Sequence, residues 1–566
     1  MKDKQANRRI RLLLAVFALV FAVTLGRAVW LQGVRAAQLG KMAERQHHES
    51  IVVPAGRGTI FDSTGVQLAI GETTTTVYAD PRQVTQPRAI SVAAQKFLGV
   101  DANTLYPRLL DRRTSFVYIK RFAEPADADA FLKRTYLGVG SYPEERRAYP
   151  QGPVASSVIG FAGTDNKGLG GLEVEYDKNL SGKPGRQTIV RDALGRAIDV
   201  VSATPEREGH DVVMTLDHTI QANAESVLRD TVKRWHAHSA TAVVLDPRTG
   251  AVLAMAQAPG YNANNASSVP LSLQRNRAVT DTYEPGSTFK LVTIAGALST
   301  HLVTPEQRFT LPYSIRVADR IIHDAELRPT ETLTVAQILS HSSNVGAVTI
   351  AEKLGQGTLM DWINRFGFGR QTGIDFPGES QGLVLPLDKW SGSTIGNVPI
   401  GQGIAVTPVQ MASAYASIAN DGVWVRPHLV ERVGGHALHD FEHRRIVSKA
   451  VDAQLKQMLT NVVDEHGATG NEAQIPGYTV AGKTGTAQKP GPHGYTTGQY
   501  VASFVGFVPV EKPRLVVLVM VDDPRSMIFG GIVAAPAFAQ IAKFDLQYLN
   551  VPPDAPLTTT TTTATP

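Results

Sequence analysis

The sequence predicts a mixed α/β (α+β) protein: a five-stranded antiparallel sheet flanked by helices, a β-rich region before it, and one membrane helix at the start. Three observations carry this reading. Short apolar strands gather near 241–256 and again near 478–521, with a long helical stretch between them. Glycines, prolines and short alternating runs fill residues 51–201. Behind a basic cluster, residues 12–26 contain no charge at all. Strands first, helices in the middle and strands last fold most simply as one antiparallel sheet with helices packed on it.

From the N-terminus, Lys2, Lys4, Arg8, Arg9 and Arg11 against Asp3 supply four of the chain's five net positive charges. The apolar run extends past Arg27 to residue 34, reaching the roughly 20 residues a bilayer span needs, with Arg27 and Trp30 near the far interface. Residues 1–11 are therefore expected in the cytoplasm, 12–34 as an anchor, and the remainder outside. A cleaved signal peptide starts similarly, but no small-x-small cleavage site directly follows the run. Residues 31–48 read as a helical stalk.

Residues 35–205 read as an extended, non-catalytic pedestal, in which Arg57 and Glu173 are a candidate structural ion pair. A boundary falls near 205–210. Residues 211–217 read as a strand and 219–235 as an amphipathic helix. Strands 241–245 and 251–256 flank the turn sequence Asp246-Pro247-Arg248-Thr249-Gly250. Strands 478–483, 500–508 and 515–521 follow in hairpin order. Thr407 and Pro408 open another helix as N-cap and first residue, with Met411, Ala414, Tyr415 and Ile418 on its apolar face. Residues 206–550 form the catalytic domain. The tail 551–566, with threonines throughout 558–563, cannot bury a core and is expected to be disordered.

Composition excludes several function classes. With 43% hydrophobic and 19% charged residues the chain is globular. Its positive charge sits in the first eleven residues, so the body has no electrostatic support for nucleic acid. Zero cysteines rule out disulfides, thiol catalysis and zinc–thiolate sites. His47, His48, His236 and His238 lack a metal-ligand spacing, so no metal and no cofactor is expected.

The candidate chemistry lies in three short motifs. Ser287 and Lys290 form the only Ser-x-x-Lys, in Tyr283-Glu284-Pro285-Gly286-Ser287-Thr288-Phe289-Lys290, where Pro285 and Gly286 precede an apolar helix. Three-residue spacing puts hydroxyl and ammonium on one helix face. The helix N-terminus offers free N–H groups to an oxyanion. A lysine stripped of water takes a serine's proton without any histidine. Ser342-Ser343-Asn344 is the only Ser-x-Asn and Lys483-Thr484-Gly485-Thr486 holds the only Lys-Thr-Gly. At a sheet edge, Gly485 lets a ligand backbone pair as an added strand. Thr484, Thr486 and Lys483 suit a carboxylate, Asn344 a peptide group, and Ser342 a proton relay between leaving group and lysines. The N–H groups of Ser287 and Thr486 are the candidate oxyanion hole.

With these motifs in this order, the chain resembles the class B penicillin-binding proteins, peptidoglycan D,D-transpeptidases of the serine β-lactamase-like fold. The middle motif is Ser-Ser-Asn where the fold's usual pattern is Ser-Asp-Asn. Arg57-Gly58-Thr59-Ile60, Gly401 through Pro408, and Gly530-Gly531 with Ala534-Ala535-Pro536 extend the likeness over nearly the whole chain. The resemblance implies that Ser287 attacks the D-Ala–D-Ala bond of a stem peptide, that the acyl group passes to an amine of a neighbouring stem, and that β-lactams trap the serine. No glycosyltransferase module precedes the pedestal, so the implied partners are a polytopic glycosyltransferase of the shape, elongation, division and sporulation family and other divisome membrane proteins. A septal role is favoured by the compact pedestal. A side-wall transpeptidase and a non-catalytic scaffold of a wall-synthesis complex are the alternatives. A class A β-lactamase is disfavoured, because no Glu-x-x-Leu-Asn string occurs.

Overall fold

The computed structural model describes residues 2–36, 48–53, 55–191, 197–439, 441–491 and 494–556. Most of the expected stalk (37–47) and residues 557–566 of the expected disordered tail lie outside the described residues. The first part of that tail, 551–556, is instead held in place: the Val551 carbonyl accepts the Tyr478 hydroxyl and Asp554 accepts the Thr479 N–H at 2.8 Å. Two compact units emerge. The first comprises Met1–Gly56 and Gly182–Gly209, the second Arg57–Ser181 and His210–Pro566.

In the first unit, one helix runs over Lys2–Val29 and widens into a π-helical turn at Trp30–Val34. The stretch Lys4–Val34 is long and apolar enough to cross a membrane. The same unit holds an antiparallel sheet in which Gly185–Arg191 pairs with His48–Val53 on one side and Ala197–Thr204 on the other.

The second unit is built on the expected five-stranded antiparallel sheet. Its strands are β1 (Ser239–Leu245), β2 (Val252–Ala258), β3 (Ala481–Gly491), β4 (Gly494–Val508) and β5 (Leu515–Asp522), in the order β2-β1-β5-β4-β3. The run Leu-Val-Val-Leu-Val-Met-Val of β5 does not alternate because its strand is central and covered on both faces. Side-chain direction still alternates. Val517 and Val519 pack with Ile220 and Leu228 of α1 (His218–Trp235) and with Phe538 and Ile541 of α5 (Ala535–Tyr548). Leu518 and Met520 face the other core, with Met411 and Tyr415 of α4 (Pro408–Ala419). That core also buries α2 (Lys290–Ser299) and α3 (Asn344–Leu354). Thr407 caps α4 in a reciprocal capping box with Gln410.

Most strand ends differ from expectation: β1 starts at 239 rather than 241, β2 covers 252–258 rather than 251–256, β3 extends to Gly491 rather than 483, and β4 starts at Gly494 rather than 500. Two further differences have a local cause. β3 begins at Ala481 rather than 478, because Tyr478 turns back to bond Ile475 and its hydroxyl reaches the Val551 carbonyl at 2.6 Å. The strand expected over 211–217 shrinks to Val212–Met214, and it pairs in a separate sheet with Ile60–Phe61 and Val430–Val433. Asp217 leaves it to cap α1, accepting the N–H groups of Thr219 and Ile220.

Candidate active site

Ser287 sits in a single 3₁₀ turn, Gly286–Phe289, that runs directly into α2. The turn is fixed from three sides. Gly286 donates to the Gly401 carbonyl at 3.1 Å, and Tyr283 exchanges backbone bonds with Val406. The Thr288 hydroxyl donates to the Pro285 carbonyl, and the Tyr415 hydroxyl donates to the Thr288 carbonyl, both at 2.9 Å. Against β3 the packing is closest at Gly485. A Cβ there would lie 2.4 Å from Ser503 Oγ and 2.8 Å from the Pro285 oxygen. The glycine is thus required by the serine's own turn, besides leaving the strand edge free of a side chain.

Lys290 begins α2 and is 0% exposed. Its Nζ donates to the Ser342 carbonyl at 2.5 Å, to Ser342 Oγ at 3.2 Å and to Asn344 Oδ1 at 2.8 Å. The first and second motifs therefore meet at one ammonium. Ser342 has φ +59°, in the left-handed region that costs a β-carbon energy. That bend turns both its oxygens toward the lysine. The Asn344 amide is used at both ends, since Nδ2 donates to the His323 carbonyl at 3.1 Å. Ser343 accepts the Gly346 N–H as N-cap of α3, which gives the middle serine a structural task.

Lys483 is also 0% exposed, with Nζ near Thr484 Oγ1 at 3.1 Å. Thr484 in turn donates to Thr469 Oγ1 at 2.9 Å. Thr486 Oγ1 accepts the Gly530 N–H at 3.1 Å, leaving the threonine's backbone as its contribution to the strand edge. Burial drives the Lys290 pKa down to about 7, opposed by the Asp324 charge. Lys483 is lowered well below the ordinary lysine value, by burial first and then by repulsion from Lys290. The amine of Lys290 is bonded to Ser342 and Asn344 and that of Lys483 to Thr484, and two buried amines with depressed pKa values close enough to repel each other can accept and relay a proton near neutral pH.

Asp324 escaped the sequence reading. It is 5% exposed and accepts the N–H groups of Asn344 and Val345 and the Ser343 hydroxyl, while Arg328 pairs with it. It anchors the whole Ser-Ser-Asn turn, yet only its neighbour Arg328, four residues on, hints at it in sequence.

Away from these motifs, Asp62, Asp217 and His218 bring three metal-capable atoms within 4.8 Å. Their lone pairs are spent on hydrogen bonds: Asp62 takes Thr64, Val66 and His218, and Asp217 caps α1. They read as a fastened helix start. A large cavity, about 1110 Å³, lies among Arg248, Asn420, His428 and Phe441, and no motif residue lines it.

Residues 240–543 match the penicillin binding protein transpeptidase domain, and 52–214 the penicillin-binding protein dimerisation domain. Peptidoglycan D,D-transpeptidase FtsI of Escherichia coli (strain K12) is 34% identical over 555 residues, covering 97% of this chain and 93% of that protein. Penicillin-binding protein PbpB of Mycobacterium tuberculosis is 34% identical over 578 residues, covering 95% and 84%. Among solved structures, penicillin binding protein 3 of Mycobacterium tuberculosis complexed with aztreonam superposes with a TM-score of 0.70 at 30% identity, covering 90% of this chain and 99% of that one. With both domains matched in order and relatives aligned almost end to end, the chain belongs to the class B penicillin-binding proteins, the family of peptidoglycan D,D-transpeptidases.

Proposed function

We propose that this chain is a septal peptidoglycan D,D-transpeptidase that works through an acyl-serine at Ser287. The observation that carries the reading is the buried Lys290 ammonium, shared between Ser342 Oγ and Asn344 Oδ1 one helical turn from Ser287. Lys290, neutral above about pH 7, takes the Ser287 proton. The serine oxygen attacks the carbonyl of the penultimate D-alanine of a stem peptide paired along β3. The N–H groups of Ser287 and Thr486 hold the oxyanion. Ser342 hands a proton to the departing D-alanine amine, and the C-terminal carboxylate rests against Lys483, Thr484 and Thr486. An amine of a neighbouring stem then takes the acyl group and frees the serine. A β-lactam enters as the donor and stays bound as its ester.

The test is intact-mass measurement after penicillin. One adduct on the wild type, absent in Ser287→Ala, supports the reading, and an unchanged adduct in the variant overturns it. In this reading residues 1–11 are cytoplasmic, the catalytic unit is extracytoplasmic, and the partners are a polytopic glycosyltransferase and divisome membrane proteins. A reporter fused at residue 566 that is active only outside the cytoplasm checks the orientation. Depletion giving filaments with blocked septa supports the septal role; swollen cells that still divide assign it to the side wall.

A further inference from the structure

A cavity of about 150 Å³ lies where the end of the helix Gln356–Phe366, α4 and the strand pair Val423–Val425 and His443–Arg445 meet, and no motif residue lines it. Arg444 is built into its wall. The guanidinium carbon stands 4.6 Å from the ring centroid of Trp424, its cross-strand partner. Its Nη1 donates to the Arg365 carbonyl, and a Cβ on Gly367 would lie 2.7 Å from its Nη2. Gly367 ends the helix with φ +93°, so a glycine there serves the turn and leaves room for the guanidinium. Arg370, also in the wall, donates Nη2 to the Asn364 carbonyl at 2.6 Å, and its own carbonyl accepts Gln410 Nε2 at 2.8 Å. Arg365 donates Nε to the Ile446 carbonyl at 2.6 Å.

Carbonyls thus occupy one N–H of each arginine, but among the described residues no carboxylate pairs with any of the three. The one acid in the wall is the exposed Glu442. Burial lowers the Arg444 pKa, and repulsion from Arg370 and Arg365 adds to the effect against the opposing Glu442 charge. The second observation is a hydroxyl. Ser413 lies one turn after Gln410 on the same face of α4, lines the cavity and is 3% exposed, yet its Oγ is buried without a partner. A helical serine ordinarily bonds a carbonyl of the preceding turn, as Ser417 does to Ala414 at 2.6 Å. Donors that converge without an acceptor call for an anion. A planar carboxylate is met by a single guanidinium fork, whereas a phosphoryl group brings three oxygens and up to two charges, enough for a fork, a second cation and a hydroxyl.

We propose that Arg444, Arg370 and the Ser413 hydroxyl form a phosphoryl-anion site apart from the serine's machinery, taking free phosphate or the phosphate of a monoester. The site is independent of the acyl-serine reading. The test is isothermal titration of the detergent-solubilised full chain, in a buffer free of oxyanions, with inorganic phosphate, glycerol phosphate and acetate. Saturable one-site binding of phosphate is expected, with Kd of about 1 mM or tighter. Ser413→Ala should weaken it by about tenfold, the scale of one hydrogen bond to a charged group. Arg444→Lys should weaken it at least as much, because the charge stays and the fork is lost. Circular dichroism checks that each variant is folded, and Ser413→Ala, which removes a single oxygen, carries the test should Arg444→Lys fail to fold. Glycerol phosphate bound as tightly as phosphate supports an esterified ligand, and weaker binding supports the free ion. No saturable phosphate binding, acetate bound as tightly as phosphate, or an unchanged affinity in either folded variant overturns the assignment.

Discussion

The Asp324 carboxylate accepts the Asn344 N–H at 2.5 Å, reaching across twenty residues of chain to the first turn of α3. An anion at a helix start meets the exposed N–H groups and the positive dipole end together. The same charge opposes the burial that lowers the Lys290 pKa. One side chain thus sets both the position of the Ser-Ser-Asn turn and the proton affinity of the lysine beneath it.

Asp324→Asn separates those effects. Acylation by penicillin should rise with pH as Lys290 loses its proton, with a half-rise near 7 in the wild type. Removing the negative charge lowers the Lys290 pKa further, so the half-rise moves to more acidic pH. The lost charged hydrogen bonds should also cost about 1.5–3 kcal/mol of stability. Stopped-flow acylation across pH 5–9 checks the direction. A lower rate at an unmoved half-rise would show that Asp324 acts through packing alone.

Lys290→Arg keeps the charge and loses the base, since a guanidinium does not deprotonate at neutral pH. Acylation should fall by about 10²–10⁴-fold, the usual share of a general base. A rate within a few-fold of wild type would assign the proton to Lys483 or another group. Thr486→Ala should be milder, because its backbone N–H is kept and its hydroxyl, which takes the Gly530 N–H, is one of three groups proposed beside the carboxylate.

The sheet and the three motifs were legible because local pattern decides them. β5 is apolar from Leu515 to Val521 and β1 from Ala242 to Leu245, and Ser287, Ser342 and Lys483 each stand where an element begins or near its start. Asp324 was not legible, because its partners Asn344 and Val345 are backbone groups that leave no mark on composition. The reason for Gly485 was half legible. Sequence suggests an open strand edge, while the closeness of the Pro285 oxygen needs the folded chain. Tyr478 was misread as strand because its apolar ring serves a turn.

Gly401→Ala probes how tightly the serine turn is held. Gly401 has φ +76°, and a Cβ there would lie 2.1 Å from the Gly286 oxygen. No side-chain rotation relieves a clash with backbone, so the turn carrying Ser287 must shift. A shift of about 1 Å in a catalytic group costs roughly 10²-fold in rate. Penicillin acylation should fall by about that much while the variant still folds, checked by circular dichroism. An unaltered rate would show that the turn tolerates movement.

Glu173→Gln tests the core of the N-terminal part of the second unit. Glu173 is 0% exposed and receives Arg57 Nε at 2.7 Å and Arg147 Nε at 2.6 Å. Arg57 has a second acid, Asp177, at 2.8 Å, but the two Nη atoms of Arg147 are buried without a partner. Glutamine keeps the shape and removes the negative charge, so the Arg147 guanidinium is left buried and uncompensated. Breaking a buried pair from one side costs about 3–5 kcal/mol, because the desolvation of the remaining charge is no longer offset. The expected outcome is a marked fall in the unfolding temperature of the detergent-solubilised chain, with the penicillin acylation rate of the folded fraction kept. Arg147→Met in the Glu173→Gln background should restore part of the loss by removing the stranded charge. A loss under about 1 kcal/mol for Glu173→Gln would mean that water reaches Arg147 and that the site is wetter than its burial indicates.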